Sequence, residues 1–517
     1  MATPAASRDH LFVATVAYLL APNVIFLAGW LSAAWGVVAT ATVVLCFADV
    51  WRKATTSAMP VTPRRCAYVG TFALALTVVA GIGNLNAQIV DYVKHNLVFH
   101  DLVAYPWPVV YPKLGAGGSL LCYYTAYYLP ASLTGKALGL AWTELASFVW
   151  GLTGVALAFA WIVRLGRTAG SAVPGIFILV DGFAWLPGVY VFAQRVGLLP
   201  GGVRGAWWDS GGFTEQIARF GTPSVRLLFE SEPTHLLWVP QHTIAAWLVT
   251  ACVLRTLDEG EPPRHLGLVI AAALLWSPFV VIGLAPFVAM VLLRNRGAAL
   301  TWPAVTGGLA LAVPTGLYFL GHSSYQNVGL LPTWFSGPLD WLRYLLFLVG
   351  SVGVLTLAVA MVRRRFGAPL DQEWRTFATA AGWLAATTLI VMGYQNDWVM
   401  RVSMPALVVF RLIVARLAVD LWRSRAPLAP RLAFAIVVLL SAMRPAKTLF
   451  LVTLGRLPTQ LNDTTIATAT RGAPTLGELR GGDGWLYGDQ YVGPRTSWFG
   501  RHMLRRHAPA EDPAAPR

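Results

Sequence analysis

The sequence predicts an all-α fold, a polytopic transmembrane helical bundle of about 13 spans, each built from an apolar run of roughly 17–25 residues. Three observations carry this. Of 517 residues, 56% are hydrophobic and 12% are charged, against roughly 25% charged in soluble domains. The apolar residues come in long runs separated by short polar stretches. Arginine and lysine gather in those stretches, as the positive-inside rule predicts for cytoplasmic loops. A net charge of +15 dispersed in this way does not make the single basic face that nucleic acid needs, so nucleic acid is not an expected partner.

In chain order, runs 11–30 and 31–50 read as the first two spans, the first retained and not cleaved as a signal peptide. Arg52, Lys53, Arg64 and Arg65 make a basic loop, and 66–82 follows as the third span. With that loop cytoplasmic, the N-terminus is cytoplasmic too and residues 84–139 lie outside. Inside this first external loop, 120–133 is apolar but short and carries Tyr123, Tyr124, Tyr127 and Tyr128. Spacings of three and four place these rings on one helical face, and tyrosine favours the membrane interface, so an interfacial helix is expected. Spans are then expected at 140–163, 173–194, 235–254, 266–277, 279–293, 300–320, 339–362, 376–392, 405–418 and 432–451. External loops fall at 198–233, 321–338 and 393–404. Basic groups such as Arg363, Arg364 and Arg365 fall on the opposite side.

The transmembrane domain thus covers 1–455. Residues 456–507 read as a small extracytoplasmic cap, and 508–517, rich in Ala, Pro and charge, as a disordered tail. Cys46, Cys66, Cys122 and Cys252 lack metal-ligand spacing and read as buried small residues outside any disulfide framework.

Ionisable groups at the edge of a membrane are costly to keep and are candidates for function. Stretch 84–112 is the first long polar interruption and holds Asp91, Lys94, His95, His100 and Asp101. If 87–99 is helical, Asp91, Lys94 and His95 share a face. A carboxylate beside a cation and an imidazole stays ionised and can accept a proton from a hydroxyl. The plain alternative is a solvated, salt-bridged loop helix. Asp101, ten residues on, falls on another face and either assists or shapes the turn before Pro106. His235 and His242 are two turns apart on one expected helix, as a hydrogen-bonded pair or as contacts to a phosphate. Trp208, Asp209 and Glu215 fall on the same side of the expected topology. Asn396, Asp397 and Arg401 sit at a further membrane edge, where a guanidinium can grip phosphate bidentately or simply pair with Asp397. Arg411, inside an expected span, needs a partner or an aqueous cavity. No phosphate loop, dinucleotide fingerprint, zinc-protease motif or kinase set is present.

Three stretches resemble bacterial integral membrane proteins of the GT-C class of glycosyltransferases. They are Asp91-Tyr92-Val93-Lys94-His95-Asn96, Tyr124 to Pro130 with Gly135 and Lys136, and Asn396-Asp397-Trp398-Val399-Met400-Arg401. The layout of many spans, a large first external loop with an early Asp and a smaller external C-terminal part is similar too. The resemblance implies a plasma-membrane enzyme of cell-envelope or cell-wall biogenesis with its active site outside the cytoplasm. It would take a sugar from a polyprenyl-phosphate donor, with Asp91 as base, and pass it to a glycan, lipid or protein hydroxyl. Lys94, His95, Asp101, His235, His242, Asn396, Asp397 and Arg401 would bind donor or acceptor. A divalent metal is left open. The sequence departs from the class at Val90 and Tyr92, where many members carry paired acids. The rival reading is a multi-span transporter or lipid flippase without chemistry, suggested by helix breaks near Trp276-Ser277-Pro278 and Pro314. A third is a membrane assembly partner.

Overall fold

The structure, a computed structural model, describes residues 7–56, 62–115, 117–167, 172–183, 219–220, 225–295, 297–322, 328–366, 371–393, 396–454, 461–479 and 488–505. The chain is all-α in class: helices carry the architecture, and the strands are pieces of two or three residues. Five helices are long and apolar enough to cross a membrane: His10–Trp30, Ala33–Lys53, Leu140–Leu165, Trp302–Leu320 and Pro338–Phe366. Leu428–Ser441 and Met443–Thr453, bent by 45° at their junction, make a sixth if taken as one span. Trp35, Val37, Val38 and Leu45 stand exposed on Ala33–Lys53, the kind of surface that is stable against lipid and unfavourable in water.

Several expected spans are broken, each for a local reason. Run 235–254 divides into Glu232–Trp238 and Pro240–Glu259, because a residue preceding proline is pushed out of the α region. Val239 accordingly sits at φ −141° and ψ 60°. The two short spans expected at 266–277 and 279–293 become three helices, Leu266–Ala272, Pro278–Gly283 and Ala285–Asn295, with Ser277 capping the second through the Val280 N–H at 3.2 Å. The helix expected at 120–133 is absent. A strand (Ser119–Leu121), a 3-10 turn (Thr125–Tyr127) and the helix Leu129–Leu138 take its place. Its four tyrosines are buried in the protein. Of the cysteines, Cys66 is exposed and the other three are buried.

The bundle has two chemically distinct ends. At one, Asp9 caps the first helix through the Phe12 N–H at 3.1 Å and pairs with Arg164 at 2.7 Å and Arg255 at 2.8 Å. Arg164 lies in the last turn of Leu140–Leu165, and Arg255 lies toward the C-terminal end of Pro240–Glu259. Asp49 joins Lys53 at 2.5 Å and His265 at 3.0 Å. At the other end, Trp107 packs on Trp30 with ring centroids 5.3 Å apart. There the C-terminal segment is woven into the first loop. Val492–Pro494 pairs with Ser119–Leu121, and Leu461–Asn462 with Gln88–Ile89.

Arg411 finds the partners its position requires. Its guanidinium meets Glu232 at 2.7 Å and Asp181 at 2.9 Å, and Asp181 also holds Arg444 at 2.5 Å. Trp247 donates to the free oxygen of Glu232 at 2.7 Å. Arg411→Met leaves two buried carboxylates short of a cation and is expected to destabilise the fold by about 3–5 kcal/mol. Denaturation of the purified, detergent-solubilised variant against wild type checks this.

Candidate functional site

The site begins where the helix Pro63–Val79 ends. Gly81, Gly83 and Asn84 all have left-handed φ (72°, 73° and 61°) and turn the chain back across the bundle end. At Gly83 an added Cβ would lie 2.5 Å from the Cβ of Phe148, so the turn packs directly on the helix Leu140–Leu165. Gln88 and Ile89 then pair with the C-terminal segment. The loop helix therefore starts only at Tyr92 and runs to Ala104, later than the 87–99 expected. Asp91 stands at its N-cap.

The spacing of three and four does bring Asp91, Lys94 and His95 together. Lys94 Nζ lies 2.6 Å from Asp91 Oδ2, and His95 Nε2 lies 3.3 Å from the same oxygen. All three side chains are buried. Burial pushes the Asp91 carboxyl up, but the Lys94 charge and the bond from His95 outweigh it and hold the group well below the usual carboxylate range. Burial likewise pushes Lys94 down, and Asp91 more than offsets it, leaving the ammonium above its ordinary value. His95 is lowered by burial and then by Lys94, so it is neutral at pH 7. Its Nε2 lies 3.0 Å from the Trp238 carbonyl and its Nδ1 2.6 Å from the Tyr128 hydroxyl. The carbonyl requires the proton on Nε2, so Nδ1 accepts from Tyr128. That arrangement is an ionised carboxylate, an ammonium and a neutral imidazole in one network.

A second ion pair faces the first. Asp397 and Arg401 meet at 2.9 Å across one turn of the short helix Asp397–Val402, and the Arg401 guanidinium lies 5.7 Å from the ring centres of Tyr124 and Phe279. Arg401 is close enough to Lys94 for the two charges to interact. His242, in the first turn of Pro240–Glu259, lies in the field of Arg401, Lys94 and His95, its ring edge-on to Tyr124 at 4.7 Å. It is fully buried, and neither of its ring nitrogens has a hydrogen-bond partner among the described residues. A buried polar group without a partner costs about 1–3 kcal/mol, which singles this imidazole out. Compared with known proteins, the chain matches no family model, no curated protein and no solved structure. The chemistry of this site therefore has to be read from its own residues.

The remaining expected site residues are elsewhere. Asp101 accepts from Tyr111 Oη and the Leu476 N–H, both at 2.8 Å, and from His100 at 3.1 Å. It clamps the loop to the C-terminal segment, on a face away from Asp91. His235 is separated from His242 by the break at Val239 and lies in the field of Arg411 and Arg444, so the two histidines do not share a helical face. Asn396 is a turn residue at φ 56° that accepts from the Met392 N–H at 3.2 Å and donates to the Arg226 carbonyl at 2.8 Å. Trp208, Asp209 and Glu215 lie outside the described residues. Among the described residues no three His, Cys, Asp or Glu side chains converge as a metal-ligand set.

Sequence reasoning missed the tyrosine wall. Tyr123 stacks at a tilt on Tyr124 at 4.8 Å and meets Tyr491 edge-on at 5.1 Å. The signal was the Tyr-Tyr-x-x-Tyr-Tyr repeat, read as an interface helix when it lines the site. Because the folded-state value of Asp91 is depressed, its contribution to stability is full above the ordinary value of 3.8 and is lost as pH falls below it. Melting temperatures of wild type and Asp91→Asn should therefore differ most above about pH 4 and converge in acid. Parallel curves across the acid range would show that Asp91 is not so paired.

Proposed function

We propose that the chain is an inverting membrane glycosyltransferase of the GT-C kind, moving a sugar from a polyprenyl-phosphate donor to an extracytoplasmic hydroxyl of a glycan, lipid or protein. The observation that carries this reading is the convergence of Asp91–Lys94, Asp397–Arg401 and the unpartnered His242 at one end of an apolar bundle. Apolar helices can seat a lipid chain. Lys94, Arg401 and a ring N–H of His242 are the donors a departing phosphate needs. The tyrosine rings give flat faces for a sugar.

In this reading the acceptor O–H gives its proton to Asp91 as its oxygen bonds to the anomeric carbon. The bond from that carbon to the phosphate oxygen breaks, and lipid phosphate leaves as an anion. Paired with Lys94, Asp91 is a weak base. A phosphate seated beside Lys94 draws the ammonium away and returns proton affinity to the carboxylate. Donor binding thus switches on the base. Asp91→Asn should reduce transfer from polyprenyl-phosphate sugars by about 10²–10⁴-fold, the scale of a lost general base. Wild-type transfer by a well-folded Asp91→Asn protein in reconstituted membranes would sink the assignment.

The same reading puts about 13 apolar segments in or across the plasma membrane, with the Asp9 end cytoplasmic and the Asp91 end outside. In a cysteine-free background, a cysteine at Asn84 should react with a membrane-impermeant maleimide in intact cells. One at Arg264 should react only after permeabilisation. The reverse pattern overturns the topology.

One observation favours transport instead. The buried Asp181–Arg411–Glu232–Arg444 network lies where helices are interrupted: Val173–Leu179 ends two residues before Asp181, and Arg444 follows the 45° bend. Gly182 and Phe183 pack on the π-turn Val349–Gly353, with the Phe183 N–H 2.6 Å from the Gly350 carbonyl. Interrupted helices around buried charges also occur in carriers. The guanidinium groups here are already engaged by carboxylates and carbonyls, which favours a structural role.

A further inference from the structure

The end of the bundle that holds Asp9 also carries a basic surface that the proposed reaction does not use. Three helices build it. Met404–Arg423 comes to this end where Arg416 meets Asp258 at 2.7 Å; the next residue, Glu259, meets Arg164 at 2.5 Å. The chain then turns into Leu428–Ser441, and Arg431 pins the turn by donating to the Trp422 carbonyl at 3.2 Å. Its guanidinium lies 5.8 Å from the centre of the Trp422 ring. Pro338–Phe366 packs on Leu428–Ser441 and finishes at the same end. Its Arg363 lies 5.0 Å from the centre of the Trp374 ring, beside Glu373, which reaches Arg416 at 3.8 Å.

Three arginines of this surface are left over. Arg364, Arg365 and Arg425 are exposed and make no ion pair or hydrogen bond among the described residues. Neighbouring carboxylates are already engaged: Asp258 by Arg416, Glu373 by Arg167 at 2.5 Å, and Asp420 lies in the field of Arg416, Arg167 and Arg423. Each basic group heads an exposed apolar stripe. Leu357 and Met361 share a helical face with Arg364 and Arg365, and they are 60% and 56% exposed. On the adjoining helix Leu428, Leu432, Ile436 and Leu439 recur along one exposed face that runs away from Arg425. Trp422, half exposed, stands at the head of that second stripe, and an indole favours the boundary between headgroups and hydrocarbon.

We propose that this surface docks an acidic phospholipid with two phosphates, a diphosphatidylglycerol, with its phosphates on Arg364, Arg365 and Arg425 and its acyl chains along the two stripes. Charge and shape together choose this occupant. The surface asks for a ligand that is anionic at one end and apolar along the rest. A nucleic acid or an acidic peptide would leave the stripes bare. A guanidinium grips phosphate oxygens bidentately, and basic pockets between helices at a membrane edge suit such headgroups. Two stripes on adjoining helices, each headed by its own arginines, match two phosphatidyl halves better than one. The inference requires only that the apolar helices face lipid, and it is independent of sugar transfer.

Native mass spectrometry of the full chain in a neutral detergent tests this, with tetraoleoyl cardiolipin, dioleoyl phosphatidylglycerol and dioleoyl phosphatidylcholine titrated in turn. Cardiolipin should be retained more tightly than either of the others at equal phosphate, and it alone should raise the melting temperature. The triple variant Arg364→Gln, Arg365→Gln, Arg425→Gln should weaken cardiolipin binding by about 100-fold, at about fivefold for each basic residue near a lipid surface. Removing the same number of charges from the basic loop, by Arg52→Gln, Arg64→Gln, Arg65→Gln, should leave the affinity unchanged. Without lipid the first triple should melt with wild type, because its three side chains have no described partner to lose. Should it not fold, Arg425→Gln alone is expected to bind about fivefold more weakly. The inference falls if cardiolipin is held no better than phosphatidylcholine, or if phosphatidylglycerol at equal phosphate matches it. It falls equally if the two triples weaken binding alike, since net charge alone would then account for it.

Discussion

A carboxylate inside an apolar bundle keeps its charge only if a cation is folded in beside it, and that constraint organises this molecule. Asp9 binds Arg164 and Arg255, Asp181 binds Arg411 and Arg444, and Asp91 binds Lys94, all within 3 Å. Each pairing except the last joins elements far apart in sequence. Asp9 ties the start of the first helix to the ends of two others, which fixes which helix ends lie together. Desolvation makes each lone charge expensive and each pair tolerable. The bundle therefore cannot slide by a turn without exposing an unpaired charge to the apolar interior.

Asp91 differs from the other carboxylates because its partners come from its own helix turn. Nothing distant is needed to hold Lys94 against it, so the pair is not required to join elements and is free to serve another purpose. The groups around it point the same way. His95 is fixed in one tautomer by Trp238 and Tyr128, and Arg401 is braced between two rings. Among the described residues, His242 has no hydrogen-bond partner on either ring nitrogen. In the proposed reaction that imidazole is the point where a ligand oxygen would be held.

What could be seen in the sequence follows from how local each cause is. The all-α class came from composition and run length, and the Asp91–Lys94–His95 cluster from spacing along one helix, so both were legible. The Asp397–Arg401 pair is also local, one turn apart, and the plain reading of it as a salt bridge holds. Helix breaks at Val239 and Ser277 were partly legible because a proline follows each. What was not legible needs distant partners. Gln88 and Ile89 read as the first turn of a helix until Leu461 and Asn462 pair with them as strand. The four tyrosines between 123 and 128 carry a helical spacing, but the Tyr318 hydroxyl accepts from the Tyr123 N–H at 2.9 Å and anchors the chain ahead of the 3-10 turn Thr125–Tyr127.

In the proposed reaction Asp91 would have to meet two opposing demands. A base strong enough to take a hydroxyl proton must not be neutralised by that proton in the resting state, and Lys94 sees to this by holding Asp91 ionised. The same lysine weakens the base, and an arriving phosphate is the natural competitor for its ammonium. Coupling of this kind would make the carboxylate reactive only when the lipid phosphate is in place, so that water bound in the empty site is not activated.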